Sequence, residues 1–136
     1  MRYLLDTNVL SDARRGASAS LDQWLAEQSL DSLAISAITL YELEHGVRRM
    51  ERRDERQGSL LRQWLNGVVR EAFAGNVLPV DEPVAVAAAD LRVPDPMPVP
   101  DAFIAATALV HGLTLVTRNI GDFDRTGVPM MNPWSG

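Results

Sequence analysis

The sequence predicts an α/β fold: a doubly wound, mostly parallel sheet flanked by helices. Three observations predict it. Short apolar runs alternate with stretches of helical periodicity, as in successive βαβ units. The apolar runs are continuous rather than alternating, as expected of strands covered on both faces. Polar and acidic residues follow several of the runs, at the edge where open α/β sheets bind ligands.

The elements follow in order. Arg2 to Leu5 reads as a strand, and Asp6 is suited to cap whatever helix or turn comes next. Leu21 to Leu30 reads as a helix with Trp24 and Leu25 on one side. Leu33 to Ile35 is the second strand. Leu40, Leu43, Val47 and Met50 recur at steps of three and four, which predicts a helix from about Ile38 to Arg53. A further helix is expected over about Glu55 to Ala74, with Leu61, Trp64, Leu65, Val68 and Ala72 on its apolar face and Gly75-Asn76 ending it. Val77 to Val80 is the third strand. Asp81-Glu82-Pro83 opens a helix with proline in the first turn, where it is tolerated. The prolines of "VPDPMPVPD" forbid regular helix. Asp101 to His111 is helical and closes on Gly112. Leu113 to Thr117 is the fourth strand, and Val128 to Met131 suggests a fifth.

Composition narrows the function. The 136 residues fit one domain spanning 1–136, and at 46% hydrophobic they can bury an ordinary core. The chain has no cysteine, which removes disulfides and thiolate metal sites from consideration. No apolar run is long enough to span a bilayer, and Asp6 interrupts the short apolar run at the start, so a soluble, cytoplasmic protein is expected. The formal net charge of -5 is the wrong sign for a protein that holds nucleic acid by a basic surface. All 13 basic residues are arginine, and Arg48, Arg49, Arg52, Arg53 and Arg56 form a local stripe. Glu44, Glu51 and Glu55 are interleaved with it, so a solvated helix face is the plainer reading.

The carboxylates carry the chemistry. Asp6 follows the first strand. Glu42 lies near the start of the helix after the second. Asp101 opens the helix before the fourth, and Asn119 and Asp122 follow that strand. Each has a plainer role when taken singly. Asp6 and Asp101 could be N-caps, Thr39-Leu40-Tyr41-Glu42 has capping-box spacing, and Asp122 could order a turn. Together at one sheet edge they would repel strongly: two unit charges ~4 Å apart interact by ~4 kcal/mol at an effective dielectric of ~20. Protons or cations must neutralise such a cluster. Oxygen donors without cysteine select hard divalent ions such as Mg²⁺ or Mn²⁺. Such ions assist hydrolysis of a phosphodiester backbone.

The pieces "LLDTNVLSD", "SAITLYELEHG", "PVPDAFIAATALVHGLTLVTRNIGDF" and "NPW", in this order and over almost the whole chain, resemble the PIN-domain ribonucleases. The resemblance is to the VapC-like toxins of bacterial toxin–antitoxin pairs and to their FitB-like members. It implies a PIN-like sheet and an acidic metal site made by Asp6, Glu42, Asp101 and Asp122. It also implies that Thr117 and Asn119 support that site and that Asn8 helps to shape it. The implied activity is endonucleolytic cleavage of RNA with Mg²⁺ or Mn²⁺. The implied partners are an antitoxin that blocks the site, promoter DNA contacted only through that antitoxin, and a second copy in a homodimer.

Other residues read as structural. His45 and His111 sit on helices, and His111 is placed where the helix end favours positive charge. Trp24, Trp64 and Trp134 read as core or interface residues rather than base-stacking platforms. Asp124 reads as a rim charge. No Ser-His-Asp arrangement and no glycine-rich phosphate loop follows the first strand. Two other classes remain. A receiver-like, Mg²⁺-binding signalling domain needs a late lysine, and the chain has no lysine. An adaptor with this fold but without cleavage is the other.

Overall fold

The computed structural model describes residues 1–135. Five strands are formed: β1 (Tyr3–Leu5), β2 (Leu33–Ser36), β3 (Val77–Leu78), β4 (Thr114–Val116) and β5 (Met130–Met131). They pair in the order β3-β2-β1-β4-β5, every neighbour parallel. The chain winds outward from β1 through β2 to β3, then crosses back over β1 to lay down β4 and β5. The winding reverses between β1 and β4, and a crevice opens outside the carboxyl ends of that strand pair.

Helices cover both faces. Along the strands, side chains alternate between two cores. Leu4, Ala34 and Leu115 enter a cluster with Val84, Ala88, Ile104 and Ala105. These come from α6 (Glu82–Leu91) and α7 (Val99–His111). Tyr3, Leu5, Leu33, Ile35 and Val116 face the opposite cluster, which includes Val9, Leu21, Leu43, Val47 and Leu65. That side is built from α1 (Thr7–Arg15), α2 (Ala19–Ala26), α3 (Ala37–Arg53) and α4 (Glu55–Trp64). Leu4 and Leu5 are fully buried, each contributing ~1.5–3 kcal/mol of apolar burial. This two-sided burial explains why β1 carries no polar residue until Asp6.

Several boundaries differ from the sequence reading, for identifiable reasons. Thr7–Arg15, left open between turn and helix, is α1; Asp6 Oδ1 accepts from the Thr7 amide and Gly16 closes the helix at φ 61°. The second helix is shorter and earlier, Ala19–Ala26, because the Ser18 hydroxyl caps it by accepting from the Leu21 amide. The capping box that the Thr39–Glu42 spacing allows does not form. Ser36 is the N-cap of α3, accepting from Ile38 N, which leaves Glu42 beyond the first turn and its carboxylate free for another partner. Asp101 is not an N-cap either. Helix α7 begins at Val99, with Pro98 at the cap position and Pro100 inside the first turn, where its missing N–H costs nothing. The helix expected over 55–74 runs unbroken to Ala72 but changes its hydrogen-bond pattern on the way. After α4 come a π-helical turn, Leu65–Val69, and a short α5, Arg70–Ala72. The π turn buries both Leu65 and Val69. Strands β3, β4 and β5 are shorter than read.

Helices α3 and α4 pack closely. A Cβ at Gly58 would lie 2.4 Å from the Glu51 Cα, so only glycine admits this approach. Arg62 closes the same contact from α4 with bonds to Glu44 and Glu51. Arg48 pairs with Glu44 as the helical spacing predicts. Among the described residues no helix is long and apolar enough to cross a membrane.

Candidate active site

Asp6 stands at the switch point because β1 ends against β4. Its amide donates to the Val116 carbonyl at 2.9 Å, so the backbone is still in the sheet as the side chain turns out of it. The residue is only 6% exposed. Both carboxylate oxygens are engaged. Oδ1 accepts from Thr7 N at 2.8 Å, and Oδ2 accepts from the Thr117 hydroxyl at 2.8 Å. The Asn8 amide reaches Oδ2 at 3.4 Å, a weak contact. Thr117 is itself oriented by the Asn119 amide, which donates to its Oγ1 at 3.0 Å. Burial holds the Asp6 carboxyl above the ordinary carboxylate range. The Thr117 and Thr7 hydrogen bonds oppose that rise, and the charges of Glu42 and Asp122 add to it.

Glu42 comes to the same edge from α3. Its Oε1 accepts from the Thr7 hydroxyl at 2.6 Å, and that hydroxyl also contacts Thr39 Oγ1 at 3.1 Å. Thr39 is fully buried. Thr7 and Thr39 therefore tie the start of α1 to the first turns of α3. Neither was read as a site residue in the sequence, where Thr39 figured only in the capping-box spacing; the signal was that Thr7 adjoins Asp6 and Thr39 stands three residues before Glu42.

Asp101 projects from the first turn of α7. Desolvation, then the charges of Asp6, Asp122 and Glu42, push its carboxyl up to about 6. The helix N-terminus favours an anion there, so the upward shift means that burial and repulsion prevail. Asp122 is exposed on α8 (Ile120–Phe123), its amide donating to Asn119 O at 3.0 Å. It is close enough to raise both Asp6 and Asp101. The structure thus brings the four carboxylates, from four separate elements, into one electrostatic cluster. Asn8, Thr117 and Asn119 border it. Asp124 lies outside the set of charges that act on Asp6 and Asp101.

None of the four carboxylates has an arginine or histidine partner among the described residues. As the side chains stand, no three acidic or histidine groups among the described residues are gathered tightly enough to enclose an ion. Glu42 is drawn toward Thr7 by the 2.6 Å hydrogen bond. The donor set nonetheless fits a hard divalent cation. It offers only oxygen ligands, it lacks internal neutralisation, and the buried Asn8 Oδ1 has no hydrogen-bond partner.

One buried carboxylate outside the quartet was not singled out in the sequence. Asp12 is 1% exposed on α1 and pairs with Arg15 and Arg118, Arg118 Nη1 lying 2.6 Å from Oδ2. Trp134 Nε1 donates to the same oxygen at 3.1 Å. This carboxylate fastens the end of the chain to α1 and fixes the residue between Thr117 and Asn119. Only Arg15 lies at short range; the partners that make Asp12 a tertiary anchor, Arg118 and Trp134, lie 106 and 122 residues away. Trp134 and Trp24 serve packing, Trp24 standing edge-on to Tyr3 at 5.1 Å. His45 stacks on exposed Tyr41, and His111 is exposed at the end of α7.

The sheet order and the acidic crevice at its switch point define the PIN-domain class. The PIN domain family model matches residues 3–129, and the chain belongs to that family. It is 36% identical to Toxin FitB of Neisseria gonorrhoeae, over 96% of this chain and 97% of that protein. The crystal structure of FitAcB from the same organism superposes with a TM-score of 0.89 at 36% identity, covering 97% of this chain and 98% of that one. VapC ribonuclease Y4jK of Sinorhizobium fredii is 34% identical, over 96% of each chain. A toxin–antitoxin complex from Klebsiella pneumoniae matches with a TM-score of 0.69 at 31% identity, covering 97% of this chain and 98% of that one.

Proposed function

We propose that this chain is the toxin of a toxin–antitoxin pair, a Mg²⁺- or Mn²⁺-dependent endoribonuclease of the cytoplasm. The observation that carries the reading is the quartet Asp6, Glu42, Asp101 and Asp122. Asp6 and Asp101 are desolvated, and no cationic side chain pairs with any of the four at the switch point of the parallel sheet. Relatives named as a toxin and as a ribonuclease support the same direction.

In this reading the four carboxylates hold the divalent ion. When bound, the ion supplies Lewis acidity and neutralises charge on the scissile phosphodiester. Thr117 and the Thr7 amide keep Asp6 in one rotamer, and Thr7 and Thr39 hold Glu42 across the cleft. Asn8 and Asn119 shape the rim.

The acidic cleft also suits an inhibitor that inserts an arginine or lysine, since a guanidinium engages carboxylates bidentately. The antitoxin is then a small protein with a basic tail, and promoter DNA is reached only through it. A homodimer of this chain is part of the same reading. The test is cleavage of total RNA with added Mg²⁺ or Mn²⁺, with chelator, and with Asp101→Asn. Metal-dependent cleavage lost in the variant supports the reading. No cleavage by the parent chain under any metal overturns it in favour of a non-cleaving adaptor.

A further inference from the structure

Among the described residues five arginines are tied to carboxylates: Arg15 and Arg118 to Asp12, Arg48 and Arg62 to Glu44, Arg125 to Asp95. Arg14 has no such partner among the described residues. It is exposed, and its guanidinium lies 5.9 Å over the ring of Trp64. The two residues face a groove of about 230 Å³ whose walls include Thr7, Ser11, Glu42 and Gly46. Thr7 and Glu42 belong to the acidic cluster, so the groove is continuous with it. Thr7, Ser11 and Arg14 follow one another at steps of four and three along α1, and Glu42 and Gly46 at a step of four along α3. Two helices thus leave the cluster side by side and form its walls.

Gly46 adds an independent observation. Glycine in a helix interior costs stability relative to alanine. At Gly58 that cost has a packing reason, since a Cβ would strike the Glu51 backbone. At Gly46 nothing lies within 4 Å of where a Cβ would stand. The space above the α3 backbone is open, and it opens into this groove.

We propose that the groove holds the RNA strand on one side of the scissile bond. A backbone phosphate binds Arg14 and the Ser11 hydroxyl, a sugar and base lie on Trp64, and Gly46 gives them clearance. This rests on the reading of the chain as a ribonuclease. Charge favours RNA over a basic protein tail: Arg14, which no carboxylate neutralises among the described residues, attracts an anionic backbone and repels the basic segment that the acidic cluster would attract. Trp64 offers a flat face to a sugar or base, as single-strand sites do. One arginine beside the cleft also reconciles phosphate binding with a chain that is acidic as a whole.

The test measures binding of a fluorescent single-stranded oligoribonucleotide to the full chain carrying Asp101→Asn, at several salt concentrations. Arg14→Ala is expected to weaken binding about five- to tenfold and to lower the salt slope by about 0.7. Gly46→Leu is expected to weaken it at least about tenfold by filling the groove, with no fall in melting temperature. Arg70→Ala, remote from the groove, is the control and should bind like the parent. In the cleavage-competent chain, Arg14→Ala should raise KM more than it lowers kcat. If the parent cuts RNA while both groove variants bind and cut as it does, the groove assignment is wrong and the function stands. If both variants keep RNA binding but lose binding of an inhibitory partner protein, the groove is a protein-docking site and the proposal falls. If the parent neither binds nor cuts RNA, the proposed function itself falls, and this inference with it.

Discussion

The Thr117 hydroxyl donates to Asp6 Oδ2 at 2.8 Å, joining the residues that follow β4 and β1 across the point where the sheet reverses its winding. The two lie 111 positions apart in the chain, and both are buried. The bond holds a desolvated carboxylate in place and opposes the burial that raises its pKa.

Thr117→Val keeps the shape and removes the donor. Asp6 Oδ2 then loses its buried partner, at a cost of about 1–3 kcal/mol in unfolding free energy. With that bond gone the Asp6 pKa rises further, so the pH dependence of RNA cleavage should move to higher pH and the rate at pH 7 should fall at least about tenfold. Denaturant titration and a pH–rate profile measure the two effects; an unmoved profile would detach Thr117 from the site.

Asp101→Asn should abolish cleavage while the metal-free fold becomes no less stable at pH 7.5. The sign follows from the raised pKa. Between its ordinary value of 3.8 and about 6, the folded state binds the proton more than the unfolded state does. Stability from this group is therefore present at low pH and lost as pH rises through about 6. The variant removes that loss, so its advantage in melting temperature should be visible at pH 7.5 and absent near pH 4. An advantage that is largest at pH 4 would contradict the assigned repulsion.

Metal must compete with that proton. Mg²⁺ or Mn²⁺ should raise the melting temperature more at pH 7.5 than at pH 5.5, and chelator should stop cleavage. Equal thermal shifts at the two pH values, or full activity after chelation, would exclude a metal held by Asp101.

Asp12→Ala tests the buried pair at the end of the chain. Arg15 and Arg118 are about half exposed and can return to water, so the loss should be moderate, about 1–3 kcal/mol. Trp134 loses its indole partner at the same time, so its fluorescence should shift toward that of a solvated ring. An unchanged emission and unfolding midpoint would mean that the contact contributes nothing.

Two glycines on facing helices should respond oppositely. Gly58→Ala drives a Cβ into the Glu51 backbone and should destabilise by about 1–3 kcal/mol. Gly46→Ala meets open space and should stabilise by up to about 1 kcal/mol. Thermal unfolding of the two variants in parallel decides this, and a loss at Gly46 would mean that α3 needs glycine there for its own packing.

The sequence by itself determined what depends on local pattern. Continuous apolar runs such as Leu113 to Val116 mark strands buried on both faces, and the period of Leu40, Leu43, Val47 and Met50 marks a helix. Alternation of the two determined the parallel α/β class, and with it the edge where Asp6, Glu42 and Asp122 emerge. Tertiary structure decided what depends on distance in space. Strand order is set by which apolar faces meet, and only that order puts β1 beside β4 and Asp6 beside Thr117. The extent of α3 was legible to within a residue, but the role of Glu42 was not: capping-box spacing at Thr39–Glu42 offered a local partner, whereas Ser36 caps the helix and Thr7 takes Glu42. Asp101 looked like a cap because it follows a proline, yet the helix starts two residues earlier, since Pro100 already has helical φ and no amide to satisfy. Asp12, in sequence, is one polar residue in a stretch that could be turn or helix. Only the folded chain brings Arg118 and Trp134 to it, because a buried charge finds its partners wherever packing delivers them.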